Sequence, residues 1–131
     1  MYEEVREMFS HDLFATKVAG IEIDELDKRY AKCSMKVTKD HLNANNVVMG
    51  GALFTLADFT FSVACNTDNA PTVSLNCSIN YLSPAATDVI YATAKCIKDG
   101  RTTCVYNVAV EDANGKLVAV FTGTGYKTVQ K

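Results

Sequence analysis

The sequence predicts an α+β fold in which a curved, mostly antiparallel sheet wraps around one long buried helix. Three observations predict it. The stretch 50–65 is apolar on nearly every side, through Ala52, Leu53, Phe54, Leu56, Ala57, Phe59, Phe61, Val63, Ala64 and Cys65, and a helix of that composition is stable only when covered all round. The runs before and after it alternate apolar and polar residues with the period of two of a half-buried strand. The later runs are joined by Asp99-Gly100 and by Asp112-Ala113-Asn114-Gly115, dipeptide chemistry that marks hairpins. Two strands, a helix and four more strands can bury that helix only if the sheet curves about it.

Taken in order, Tyr2 to Phe9 reads as a short helix with Val5, Met8 and Phe9 on one side. From Ala15 to Val37 the pattern is strand-like: Val18, Ile21 and Ile23, a polar turn around Asp24 to Lys28, then Tyr30, Ala31, Cys33, Met35 and Val37. Thr38 to Val48 is a polar connection rich in Asn, a residue that favours turns. The helix opens at Gly50-Gly51, and Asn66 to Pro71 is a loop with Asp68-Asn69 as its turn chemistry. Four strands follow over Thr72 to Leu82, Val89 to Lys98, Thr102 to Glu111 and Lys116 to Tyr126. In the first of these, Val73, Leu75, Cys77, Ile79 and Tyr81 form the set that should face the core.

At 131 residues with about half of them apolar, the chain is read as a single domain, 1–131, with a core that needs no staples. The net charge of -2 is spread along the chain, which speaks against a nucleic-acid or membrane-surface partner. No run approaches the roughly 18 to 20 apolar residues of a membrane span. The first residues also lack the basic-then-apolar order of a signal peptide, so a cytoplasmic protein is expected. The five cysteines, Cys33, Cys65, Cys77, Cys96 and Cys104, form no CxxC pair, and the two histidines, His11 and His41, complete no zinc spacing. No metal site is expected, and the cysteines read as small buried hydrophobes.

One residue contradicts the helix that carries it. Asp58 lies between Ala57 and Phe59 with no Lys or Arg within a turn, and a buried carboxylate is costly unless it is hydrogen-bonded or put to use. Thr55, Asp58 and Ser62 share one helix face by their spacing, and the chemistry is expected there. The glycine pair offers a second feature, because a helix N-terminus with free N–H groups and no side chain in the way suits an oxyanion. Asp58 is eight residues further on, roughly 12 Å along the axis. A single reacting carbon cannot touch both from one helix. An isologous dimer with antiparallel helices would bring the partner's acid to this glycine and create two equivalent sites.

The order of elements and the central stretch resemble the hotdog-fold thioesterases, and within them the branch typified by phenylacetyl-CoA thioesterase. The likeness rests on Asn43, Gly50, Gly51, Leu56, Ala57 and Asp58, then on Ala64-Cys65-Asn66, Ile79-Asn80-Tyr81-Leu82-Ser83-Pro84-Ala85, Gly100-Arg101 and Asn114-Gly115-Lys116-Leu117-Val118-Ala119. The resemblance implies hydrolysis of aryl- or medium-chain acyl-CoA thioesters by self-associated dimers, with pairing of dimers common among relatives. It implies no separate cofactor, coenzyme A being part of the substrate. Asp58 would be the nucleophile or general base, the Gly50 N–H would polarise the carbonyl, Asn43 would stand near the attacking water, and Ser62 would help set the site.

Substrate would lie along Met49, Gly51 and Leu82-Ser83-Pro84, with Arg101 toward the coenzyme A phosphates. Each of these residues also has a plainer reading: a structural carboxylate, a loop-to-helix turn, an Asn-rich turn, a hydroxyl bonded to its own helix, a strand end, a solvated arginine. The chain departs from the family pattern at Met49, which replaces a histidine, at Asn46 in place of a frequent glycine, and at Ser83 in place of a frequent basic residue. The missing imidazole favours a binding or sensing protein as the alternative. It weighs against a hydratase, whose acid needs a histidine partner that neither His11 nor His41 would supply at the helix start.

Overall fold

The computed structural model describes residues 2–68 and 71–128. Helix α1 spans Glu3–Ser10 and is followed by a π-helical turn, Phe14–Val18. Strands β1 (Ile21–Asp27) and β2 (Tyr30–Lys36) come next, then a 3-10 turn at Lys39–His41 and helix α2, Gly50–Cys65. Strands β3 (Thr72–Tyr81), β4 (Val89–Asp99), β5 (Thr103–Asp112) and β6 (Leu117–Lys127) complete the chain. All strand pairs are antiparallel, in the order β1-β2-β4-β5-β6-β3. Helix α2 packs against every strand of that one sheet. This is the hotdog fold.

Glycine in β6 lets the sheet come close to the helix. A Cβ at Gly123 would stand 2.9 Å from the Phe61 ring, and one at Gly125 would stand 2.7 Å from the Thr72 methyl and 2.9 Å from the Cys104 sulfur. Phe61 uses that room to meet Tyr106 and Phe121 at ring centroid distances of 5.7 and 5.8 Å. Tilted and edge-on pairs of this kind each add about 0.5–1.5 kcal/mol beyond their burial. At its C-terminal end α2 is tied to β3 by the Asn66 side chain. Its amide donates to the Ser62 and Thr72 carbonyls, and its oxygen accepts from the Thr72 N–H at 2.8 Å.

Four expectations are corrected. Ala15 to Val18 lies in the π-helical turn, and β1 begins only at Ile21. The chain does not turn at Asp24 to Lys28, because a bulge between Ile23 and Glu25 absorbs the polar residues and β1 runs on to Asp27. The turn is Lys28-Arg29, with Arg29 at a φ of 55° and its N–H donated to the Thr67 hydroxyl. A second bulge, between Ser74 and Asn76, shifts the parity of β3. Val73 and Leu75 are therefore left exposed, at 50% and 62%, rather than facing the core. Finally, Cys33, Cys65 and Cys104 are buried but Cys77 and Cys96 only partly so. The Asn69 part of the expected turn lies outside the described residues.

No helix among the described residues is long and apolar enough to cross a membrane. Because Gly123 leaves no space for a methyl group, Gly123→Ala is expected to cost about 1–3 kcal/mol in chemical denaturation. Adding Phe61→Leu, which empties the contacted space, should recover part of that loss.

Candidate functional site

Asp58 is half-buried on the face of α2 that the sheet does not cover fully. It lines a cavity of about 300 Å³ with Asp12, Phe14, Phe54, Thr55 and Ser62. Phe59, whose ring meets Phe9 edge-on at 5.7 Å, closes the back. Two side chains from β3 reach the carboxyl. The Cys77 thiol donates to Oδ1 at 3.9 Å, and the Ser74 hydroxyl stands on the same side and favours the ionised carboxyl. Both face α2 because the bulge between them restores Cys77 to the side that Ser74 already occupies. The alternation of β3 had placed Ser74 outside, and nothing in its sequence marks where the parity changes.

Burial is the largest influence on Asp58 and pushes its pKa above the ordinary value; the nearby Asp12 carboxylate adds to the rise, while Cys77 and Ser74 oppose it. Burial wins. Ser62 lies one turn beyond in the same cavity, and its carbonyl accepts from the Asn66 side chain.

The other feature is the start of α2. Met49 is the extended N-cap residue, and its carbonyl accepts from the Ala52 and Leu53 N–H groups at 3.0 and 3.2 Å. Among the described residues the N–H groups of Gly50 and Gly51 have no backbone acceptor. Neither glycine has a positive φ, so backbone freedom is not what requires them. At Gly50 the reason is space: a Cβ would stand 3.0 Å from the Tyr81 ring, whose hydroxyl donates to the Gly50 carbonyl at 3.0 Å. At Gly51 a Cβ would make only ordinary contact with Met49.

The helix start opens in two directions. On one side Gly50 borders a groove of about 420 Å³ with Tyr81, Leu82, Ser83 and Pro84. On the other, Gly51 and Met49 border an apolar cavity of about 440 Å³ with Phe14, Val18 and His41. Three expected substrate contacts, Leu82, Ser83 and Pro84, thus gather around Gly50, and Met49 around Gly51. Arg101 does not join them. Its turn is anchored at the far end of α2, where Lys127 bonds both Asp99 and the Gly100 carbonyl and Arg29 bonds Asp99. That end is roughly 24 Å from Gly50, for the 16 residues of α2. Asn43 spends its side-chain oxygen on the N–H groups of Asn45 and Val47, which shapes the turn before the helix and leaves only the amide nitrogen.

His41 corrects a further expectation. The bridge between Leu42 and Val48 folds the connection back, and the His41 carbonyl accepts the Met49 N–H at 2.8 Å, so this residue borders the helix start through its backbone and lines the same cavity as Met49 and Gly51. Both ring nitrogens are committed. Nδ1 accepts the Thr38 N–H at 2.8 Å, which leaves the proton on Nε2 to be donated to the Ala19 carbonyl at 2.7 Å. The ring is a strut and not a free base. Among the described residues no group of His, Cys, Asp and Glu side chains is arranged to hold a metal ion.

A carboxyl whose pKa rises on folding contributes stability in its protonated form and loses it as the pH climbs through the folded value. Asp58→Asn should therefore melt at a higher temperature than the wild type at neutral pH. That advantage should disappear as the pH falls below the ordinary carboxylate value of about 4. Cys77→Ala, which removes a donor to the ionised form, should move the Asp58 titration followed by carbon NMR to higher pH.

The sequence from residue 45 to 119 matches the thioesterase superfamily. The acyl-coenzyme A thioesterase PaaI of Escherichia coli is 35% identical over 127 residues, covering 96% of this chain and 90% of that one. The solved structure of the E. coli PaaI protein from the phenylacetic acid degradation operon superposes with a TM-score of 0.86 at 29% identity, covering 100% and 99% of the two chains. A hypothetical thioesterase from Streptococcus pneumoniae, solved with coenzyme A, gives 0.85 at 30% identity over 94% and 98%. In sequence and in fold alike, this chain belongs to the thioesterase superfamily.

Proposed function

We propose that the protein hydrolyses acyl-CoA thioesters of the aryl or medium-chain class, and that each site is shared between two subunits. The carrying observation is Asp58. A carboxylate kept half-buried on an otherwise apolar helix, with a thiol and a hydroxyl aimed at it, destabilises the fold and is explained by use. Similarity to proteins named as acyl-coenzyme A thioesterases, and to one solved with coenzyme A, supports the substrate class.

The N–H of Gly50 polarises the thioester carbonyl, and the partner's Asp58 either adds to the carbonyl carbon or takes a proton from the water that does. The carbon–sulfur bond then breaks and coenzyme A leaves as the thiolate, which solvent protonates; in the first route water then hydrolyses the acyl–Asp58 anhydride, releasing the acid and restoring the carboxylate. Ser74 holds the attacking carboxylate or its water, and Ser62 lines the same cavity. Asn43 contributes through its amide nitrogen.

Two surfaces support the dimer. Strand β3 is an edge of the sheet beside the Asp58 face, with Val73 and Leu75 exposed. Near α2, Phe14, Val18 and Met49 are also exposed, at 66%, 69% and 54%, a large apolar area for a chain with no cover. Pairing β3 with its copy sets the two α2 helices antiparallel. The partner's turn carrying Arg101 then falls at the Gly50 end of this helix, where it meets coenzyme A phosphates. A dimer of dimers is supported by the outer face of β3, β6 and β5. There Ser78, Asn80, Val120, Thr122, Tyr126, Val105 and Asn107 present no charge, and Thr122 bonds Asn107 across strands.

The alternative is a binding or sensing protein, favoured by Met49 in place of the family histidine and by the commitment of His41. Thiol release from a panel of acyl-CoAs separates the two. Hydrolysis of at least one member is expected, falling about 100-fold or more in folded Asp58→Asn and about 10-fold or more in Ser74→Ala. Tight binding of an acyl-CoA without release, unchanged by Asp58→Asn, would establish the sensor instead.

A further inference from the structure

We infer that Tyr81 is a positioning residue that makes Gly51 a second donor to the thioester oxygen, beside Gly50. The inference rests on the hydrolase reading above. It begins with which carbonyl belongs to which N–H. The Gly50 carbonyl and the Gly51 N–H are two ends of one peptide group, so a hydrogen bond to the first polarises the second. Tyr81 supplies that bond at 3.0 Å, from a strand and not from the helix itself. The neighbouring peptide, which carries the Gly50 N–H, is polarised in the same way by the two helical bonds to the Met49 carbonyl. Adjacent N–H groups at the opening of α2 therefore both lie at the ends of charged-up peptides, and within the described backbone neither has an acceptor.

The ring does a second job. It stands where a Cβ of residue 50 would be, at 3.0 Å, and so fixes the orientation of the Gly50–Gly51 peptide from outside while forbidding any side chain that would screen it. Helix starts ordinarily depend on a capping side chain for this, and Met49 supplies none. Met49 cannot donate a hydrogen bond to an oxyanion. In this chain the second donor has to come from the backbone, and Tyr81 is the residue that prepares it. Its hydroxyl acts through Gly51 and need not touch substrate.

The test uses the full chain and the acyl-CoA that the wild type hydrolyses best. Tyr81→Phe keeps the ring and removes only the hydroxyl. The expected result is a fall in kcat of about tenfold, since one donor is weakened and not deleted, with KM and the melting temperature nearly unchanged. Tyr81→Leu frees the space at residue 50, so Gly50→Ala should cost less kcat in that background than in the wild type. Wild-type kcat in Tyr81→Phe, or a loss confined to KM or to melting temperature, overturns the inference. Asp58→Asn run alongside distinguishes the two levels. If it is inactive while Tyr81→Phe is normal, only the role of Tyr81 is lost; if the wild type itself releases thiol from no acyl-CoA, the hydrolase reading fails and this one with it.

Discussion

A helix that is apolar nearly all round can be stable only inside something that curves, and most of this molecule follows from that need. Phe61, Leu56 and Val63 on α2 are fully buried, and the sheet that buries them must bend closely enough to reach three sides of a helix. Gly123 and Gly125 allow it by giving up their side chains where Phe61 and Thr72 arrive. The remaining side of α2 carries Thr55, Asp58 and Ser62, none of them fully buried. The same constraint that makes the core thus leaves one polar stripe open, beside the free edge of β3.

The proposed chemistry is concentrated along that stripe and at the helix start, and the two places are prepared differently. At Asp58 the fold works against the charge: burial raises the pKa and Cys77 and Ser74 only moderate it. Such a carboxylate is a stronger base than an exposed one at the same pH. At Gly50 and Gly51 the fold works with the backbone, keeping N–H groups open under the helix dipole. The spacing of about eight residues between these places cannot be closed within one helix. That distance, more than any surface patch, argues for a site completed by a second chain.

Much of this was legible in the sequence because the signals were strong and local. The all-round apolar helix, the Asp-Gly and Asn-Gly turns and the misplaced Asp58 each carry their own physical explanation. What escaped was governed by irregular backbone. The β3 bulge moved Ser74 and Cys77 to the Asp58 side and put Val73 and Leu75 outside, and a period-two pattern cannot show where it slips. The β1 bulge hid in the same way behind a polar stretch that resembled a turn. His41 reached the helix start through an Asn-rich loop folded back by a single bridge, a long-range consequence with no local mark. Arg101 is the reverse case: its motif is plain, yet within one chain it stands at the wrong end of α2.

The central claim, a site made of one chain's helix start and another chain's Asp58, is tested by mixing two inactive variants. Asp58→Asn and Gly50→Val are unfolded together, refolded as a mixture and assayed for thiol release. Random pairing makes about half the dimers mixed, and each mixed dimer holds one site with both native groups. The account predicts activity returning to about a quarter of the wild-type value. A mixture as inactive as its components, with mixed dimers shown to have formed, would place both groups in a site within a single chain and contradict it.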